Sequence, residues 1–422
     1  MLSRPSPTLY LRLENLLVLM LGVSIFVSKP LIYAASGLLI LYCLIRIVAD
    51  KPYGRRVLAS PLTWVSLGLY VLGVVATVIY PSTPQDTAWV ARKSMFFLTF
   101  VPLYFAFAHK TNRNWGVFGV ISGFWIAGVL TLVQANWRPE DLTRLDGATW
   151  LVDVWGVLCS LFSVFLLPRA FDRDSPLSVR LIVAITVLAA LYILFLTGAR
   201  GPWLGAFLGI VAYLLIFQWK TFAVLFLIAA LGYFPARQVL PESFSKLEEK
   251  VASMIDTSGR ETATSESNWI RLQLWKLSIA QDKEKLDREP VKLLFGSGPL
   301  NHLQEYKAFF ERTDVLPAED KARLRRNNFP SNDVHNMYLD ATAKIGLLWA
   351  LASTVWLISL AGIGWSRRKS HGTCTLGATF SILTFLIIGA FYSLLPHFGT
   401  FFLFFFISLA LQSSARDAPL RP

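Results

Sequence analysis

Hydrophobic positions along this chain come in long runs separated by short polar breaks. Twelve apolar runs can be read, at 11–28, 31–48, 62–80, 94–108, 115–135, 152–168, 180–197, 202–217, 221–235, 337–361, 374–395 and 398–413. Most approach the roughly 20 residues a helix needs to cross about 30 Å of hydrocarbon. Inside lipid only a helix or a closed barrel satisfies every backbone group. The pattern therefore predicts an all-α polytopic membrane protein of about twelve transmembrane helices. One stretch interrupts it. The chain divides into 1–234 with nine spans, a polar segment over 235–336, and 337–422 with three spans and a short tail.

The polar segment balances sixteen Lys and Arg against sixteen Asp and Glu, which suits a folded helical module better than a charged tail. Ser243–Met254 reads as one helix and Gly259 to Ser267 as a loop. Asn268–Lys285 reads as a second helix, with Ile270, Leu274 and Leu277 in an apolar stripe at helical spacing. Arg271 and Trp275 stand one turn apart on its neighbouring face. Gly296-Ser297-Gly298-Pro299 predicts a turn, and Asn301 with Gln304 a capping-box helix start. Pro317–Arg326 predicts a last charged helix. No repeat of solenoid length is present.

A hydrophobic content of 54%, with 31 Phe and 14 Trp, excludes a soluble globule. The net charge of +13 is mostly topological and does not argue for nucleic acid. Arg12, Lys51, Arg55, Arg56, Lys110, Arg113, Arg169, Arg173, Arg180, Arg367 and Arg368 fall in alternate short loops. By the positive-inside rule those loops and both termini are expected in the cytoplasm, with the 235–336 segment outside. The first run leads straight through Ser28-Lys29-Pro30 into the next, so it reads as an uncleaved helix. Cys43, Cys159 and Cys374 lie far apart in or beside apolar runs and predict no disulfide.

Candidate chemistry gathers on the outer side. Arg200 sits in a tight Leu196-Thr197-Gly198-Ala199-Arg200-Gly201-Pro202 turn between two spans, where an unpaired cation is costly. Arg92 and Lys93 mark the outer mouth of span four; the plain reading of such cations is snorkelling toward lipid phosphates. His335 and Asn336 follow Ser331, Asn332 and Asp333, all good cap types, and open span ten. The positive end of a helix disfavours protonation of an imidazole in its first turn, and a neutral His can act as a general base. Asp340 and Lys344, four apart on one face, read as a structural ion pair. Asp172-Arg173-Asp174 matches a metal-binding pattern, but it lies in a short basic loop without partners and reads as a solvated turn. The five His are scattered and predict no metal site.

These residues carry a resemblance. The Leu-Thr-Gly-Ala-Arg200-Gly turn, Arg271-x-x-x-Trp275, Gly296-x-Gly298 and Val334-His335-Asn336-x-Tyr338-Leu339, with Gly346 beyond, resemble the O-antigen ligase/polymerase superfamily, and the O-antigen ligases in particular. Many members have Ser-x-Ser-Arg where this chain has Thr-Gly-Ala-Arg200. The resemblance implies a multispan, lipid-dependent, inverting glycosyltransferase needing neither metal nor cofactor. It would move a glycan from undecaprenyl pyrophosphate to a sugar hydroxyl of lipid A-core, at the periplasmic face of a bacterial inner membrane. On that reading His335 is the base, Arg200 and Arg271 are catalytic cations for the diphosphate, and Arg92, Lys93, Asn336 and Trp275 bind substrate. An O-antigen polymerase or a protein O-oligosaccharyltransferase shares the donor chemistry. A transporter would place its charges at the midplane between repeated halves; here they gather at one face.

Overall fold

The computed structural model describes residues 7–79, 83–134, 146, 147, 150–239, 245, 248, 263–327, 329, 333–368, 372–395 and 398–412. Among these there is no β-strand. The amino-terminal part runs through α1 (Pro7–Val27), α2 (Lys29–Ala49), α3 (Lys51–Ala59), α4 (Pro61–Ile79), α5 (Pro84–Lys93), α6 (Met95–Ala106) and α7 (Lys110–Gln134). Then follow α8 (Val152–Ala170), α9 (Leu177–Thr197), α10 (Arg200–Phe217) and α11 (Trp219–Val239). The polar module contributes α12 (Ala263–Arg288), α13 (Pro290–Phe295), α14 (Pro299–Arg312) and α15 (Ala318–Arg326). The chain closes with α16 (Met337–Lys344), α17 (Leu347–Ser366), α18 (Gly372–Gly389) and α19 (Phe398–Gln412).

Eight of these helices are long and apolar enough to cross a membrane: α1, α2, α4, α7, α8, α9, α10 and α17. Trp219–Tyr233, Thr373–Gly389 and Thr400–Gln412 are apolar but shorter, and α6 has 12 residues. The chain is a multi-pass membrane protein. Its outer helices turn Leu, Ile and Val outward, as with Leu181, Ile182, Ile185 and Leu188 on α9, which is the surface lipid covers.

At the centre stands α8, with 83% of its apolar window buried. Phe162 of α8 packs with Phe26, Phe124 and Phe406 at ring separations of 5.1, 5.1 and 6.2 Å. Such pairs add to the burial of large side chains. Nearby, α7 lies close on α1: a Cβ at Gly123 would stand 2.7 Å from the Val23 carbonyl. Small residues at that contact let two backbones approach inside lipid.

The module has its own core. Ile270, Leu274 and Leu277, the predicted stripe, bury against Tyr306, Phe309, Phe310 and Leu324. Tyr306 Oη donates to the Leu274 carbonyl at 3.0 Å. The second helix starts earlier than expected, at Ala263. The predicted capping box at Asn301 does not form; α14 begins at Pro299, whose fixed φ suits a first helical position. The helix expected over 243–254 lies outside the described residues apart from 245 and 248.

The largest departure from expectation is at 337–361. The apolar pattern is continuous there, yet the backbone breaks into α16 and α17 at Ile345-Gly346. Gly346 has φ +112°, a conformation that L side chains rarely adopt. The Gly296-Ser297-Gly298 turn fills the break: Ser297 N–H donates to the Ala343 carbonyl (3.1 Å) and Gly298 N–H to the Lys344 carbonyl (3.0 Å). The last carbonyls of α16 are thereby satisfied by another segment, and periodicity alone cannot report that. A side chain at Gly346 would overlap the Leu294 carbonyl, and a Cβ at Gly296 would stand 2.6 Å from Ile345 C. Gly346→Ala is expected to destabilise the fold by on the order of 2 kcal/mol or more, seen as a lower thermal midpoint in detergent. Gly68→Ala, with nothing within 4 Å of its added Cβ, should leave the midpoint unchanged; equal midpoints for all three proteins would contradict this packing.

Candidate active site

Five residues after α18, Ala390 to Leu394, touch three of the residues singled out from the sequence, Asn336, Trp275 and Arg271. The Ala390 carbonyl accepts from Asn336 Nδ2 at 3.2 Å. Phe391 packs on Trp275, with centroids 6.4 Å apart. The Tyr392 ring lies under the Arg271 guanidinium, 5.4 Å from centroid to Cζ, and beside Gly201, the residue after Arg200. Ser393 Oγ donates to Asp333 Oδ1. The sequence reading absorbed this segment into the run 374–395. Its signal is the polar pair Tyr392-Ser393, three residues beyond Gly389.

His335 is not in the first helical turn, as expected, but immediately before the cap. Asn336 is the N-cap: its Oδ1 accepts from Tyr338 N–H (3.0 Å) and Leu339 N–H (3.2 Å). Together with the Ala390 contact, these give the Asn336 carboxamide three protein partners, so it positions the loop. His335 has φ +53°, the one left-handed non-glycine among the described residues. Such backbone costs of order 1 kcal/mol or more and persists only where neighbours enforce it. Here Asp333 does so, its Oδ1 accepting the His335 N–H at 2.8 Å. The other two expected cap types, Ser331 and Asn332, lie outside the described residues.

The imidazole Nδ1 stands 4.0 Å from Asp333 Oδ1, and the side chain is 31% exposed. Burial lowers its pKa below the ordinary 6.5, with Arg271 and Lys344 acting in the same direction and Asp333 and Asp153 opposing. His335 is therefore neutral near pH 7, through burial rather than the helix dipole the sequence suggested. Burial would raise the Asp333 carboxyl, but Lys344 and the hydrogen bonds from Ser393 Oγ and the His335 N–H help hold it below the usual carboxylate value. His335 and Asp333 open onto a cavity of about 170 Å³, completed by Leu151, Asp153, Val154, Val157, Tyr392, Ser393 and Leu394.

The cations fall into two groups. Arg200, at the start of α10, is set by Gly198, which ends α9 in the left-handed region at φ +62°. Its Nη1 donates to Asn268 Oδ1 at 3.2 Å, tying the bundle to the module. Arg271 lies one turn further along α12, above Tyr392, and acts electrostatically on His335. Arg92 and Lys93 end α5 elsewhere at this end of the bundle, and neither lines the His335 cavity. Lys93 Nζ stands 5.9 Å above the Trp89 ring and Lys29 Nζ 5.1 Å above Trp150. Burial, with Arg92 and Lys29 adding repulsion, lowers Lys93 to about 8. The α5 helix also docks the module, its buried Asp86 Oδ1 accepting the Leu300 N–H at 2.6 Å.

Behind the site the predicted Asp340–Lys344 pair is present and buried, at 2.7 Å. Ser297 Oγ donates to Glu305 Oε2 (2.6 Å) and accepts from Lys285 Nζ (3.1 Å), fixing the turn that closes α16. Asp172, of the Asp-x-Asp pattern, accepts from Asp174 N–H and Ser175 Oγ, which makes it a turn residue. Among the described residues no group of three or more His, Cys, Asp and Glu is placed to hold a metal ion.

Residues 184–352 match the family model described as O-antigen ligase. The matched stretch contains Arg200, Arg271, Trp275, His335 and Asn336, while α5, Asp153 and Ala390–Leu394 lie outside it. No curated protein matches the chain. The chain is thus a polytopic membrane protein whose residues 184–352 are similar to the O-antigen ligase family.

Proposed function

We propose that the protein is an O-antigen ligase. It transfers a glycan from undecaprenyl pyrophosphate to a sugar hydroxyl of lipid A-core, at the periplasmic face of the inner membrane with both termini cytoplasmic. The observation that supports this reading is the placement of Arg271 and a neutral His335 at Tyr392-Ser393, with Arg200 joined to the Arg271 helix through Asn268. The donor already has an activated diphosphate leaving group, so the protein must supply charge for the diphosphate and a base for the acceptor. Arg suits the first task because its planar fork grips phosphate oxygens in pairs. His335 suits the second: it accepts the acceptor hydroxyl's proton as that oxygen attacks the anomeric carbon. The C–O bond to the diphosphate breaks with inversion, and the diphosphate leaves with the bonding pair, neutralised by Arg200 and Arg271. Trp275 supports the segment under Arg271, and Arg92 and Lys93 meet the donor's phosphates outside the His335 cavity.

Magnitudes support a metal-free route. One charge pair at about 4 Å and an effective dielectric near 20 is worth roughly 4 kcal/mol. If half of it arises only in the transition state, the rate gains about 30-fold per cation.

Purified protein in detergent, given lipid-linked glycan and lipid A-core, tests this. His335→Ala should lower kcat by roughly 100-fold or more, the range of a general base, and Arg200→Ala by about 30-fold. Wild-type rates in either folded variant would refute the assignment. Transfer should also persist in EDTA; loss on chelation with rescue by a divalent ion would rule out the cation-only mechanism. The pH profile gives a third check. A base whose pKa is lowered stays neutral until the pH falls through that lowered value, so the acid limb of kcat/KM should be centred below 6.5. An acid limb centred above 6.5 would place the titrating group elsewhere.

A further inference from the structure

The cap residue of α14 is Gly298, which has no side chain to cap with. Its own N–H is committed to the Lys344 carbonyl. An N-cap normally offers an oxygen to the first free N–H groups of its helix. Pro299 has none, so Leu300 carries the first N–H that needs a partner. That partner comes from 214 residues away: Asp86 Oδ1 accepts the Leu300 N–H at 2.6 Å. The cap of α14 is supplied by α5.

Asp86 serves a second helix at the same time. Its Oδ2 accepts the Thr83 N–H (3.0 Å) and the Thr83 hydroxyl (2.9 Å). In return the Asp86 N–H donates to Thr83 Oγ1 at 3.2 Å, which completes a capping box at the start of α5. One carboxylate thus closes the first turns of α5 and α14 together. The side chain is fully buried, so loss of the carboxylate would leave three donors without that acceptor. In one direction α5 runs about 9 Å from Asp86 to Arg92 and ends at Lys93. Lys93, seven residues on, shares a helix face with Asp86. In the other direction Leu300 follows the Ser297-Gly298 turn, whose two N–H groups stop α16 behind His335.

We propose that Asp86 is a positioning residue, holding the cation-bearing end of α5 in one frame with the short helix that sets His335. This rests on the reading of Arg92 and Lys93 as contacts for the donor's phosphates and of His335 as the base. It names the residue that fixes their spacing. Arg92 and Lys93 do not line the His335 cavity, so scaffold rather than direct contact must keep the two groups in register. Register matters because a displacement of about 1 Å, even by a change far from the chemistry, can cost on the order of 100-fold in rate.

Donor and acceptor kinetics of the full-length protein in detergent, with lipid-linked glycan and lipid A-core, test the inference. Asp86→Ala removes the acceptor for both helices, whereas Asp86→Asn keeps one oxygen and carries the test if the alanine variant does not fold. The donor KM should rise on the order of tenfold for alanine and by a smaller factor for asparagine, with the acceptor KM unchanged in both. Thr83→Ala separates position from stability. It opens the capping box of α5 but keeps the Leu300 bond, so it should lower the thermal midpoint and retain the wild-type donor KM. In the double variant Arg92→Ala/Lys93→Ala, adding Asp86→Asn should raise the donor KM by a smaller factor than in the wild type, because the cations it places are gone. Factors that simply multiply, a wild-type donor KM in Asp86→Asn, or an equal rise in Thr83→Ala would overturn the positioning role. A wild-type donor KM in Arg92→Ala/Lys93→Ala would instead remove the reading of those cations beneath it. Failure of the wild type to glycosylate lipid A-core would remove the functional reading as a whole.

Discussion

The position of His335 depends on one close contact, the Gly296-Ser297-Gly298 turn set against the end of α16. Two backbone N–H groups of that turn take the Ala343 and Lys344 carbonyls, so the helix stops and restarts as α17. Without that stop, the helical path at 337 would continue straight into a span, and the residues before it would have no fixed shelf. With it, an eight-residue helix carries its own buried ion pair, Asp340 and Lys344. Met337 packs against Gly389, and Asn336 caps the near end while binding the Ala390 carbonyl. The strained backbone of His335 is the outcome of those fixed neighbours. In this region the polar module and the membrane bundle act as one unit.

Around that shelf the electrostatics are divided. Arg200 and Arg271 stand on α10 and α12, bound to Asn268 and stacked on Tyr392, while Asp333 and Asp153 line the cavity. His335 stands between the groups and feels both, and burial decides its state. A neutral imidazole beside a carboxylate is suited to gain a proton during the reaction, because the nearby negative charge stabilises the imidazolium that forms.

Much of this was legible in the chain. Apolar runs identified the helices, because a lipid-facing helix must be hydrophobic over its whole length, and the stripe of Ile270, Leu274 and Leu277 identified the module's core. Arg200, Arg271 and His335 stood out because polar residues beside spans are expensive. Three features were hidden. The break at Gly346 is made by a turn some fifty residues earlier, so no local pattern announces it. Tyr392 and Ser393 looked like the end of a span, since their role lies in what they touch. Asp153 carries no signal of its own in the sequence, and only the packing of α8 brings it to the cavity of His335.

The most direct measurement is a lipopolysaccharide gel from a strain lacking this gene, complemented with the wild-type protein or with His335→Ala at matched expression. The account predicts core bands free of O-antigen in the deletion, with carrier-linked glycan accumulating. The wild type should restore the ladder and His335→Ala should fail to. A full ladder in the deletion strain, or one restored by His335→Ala, would contradict it.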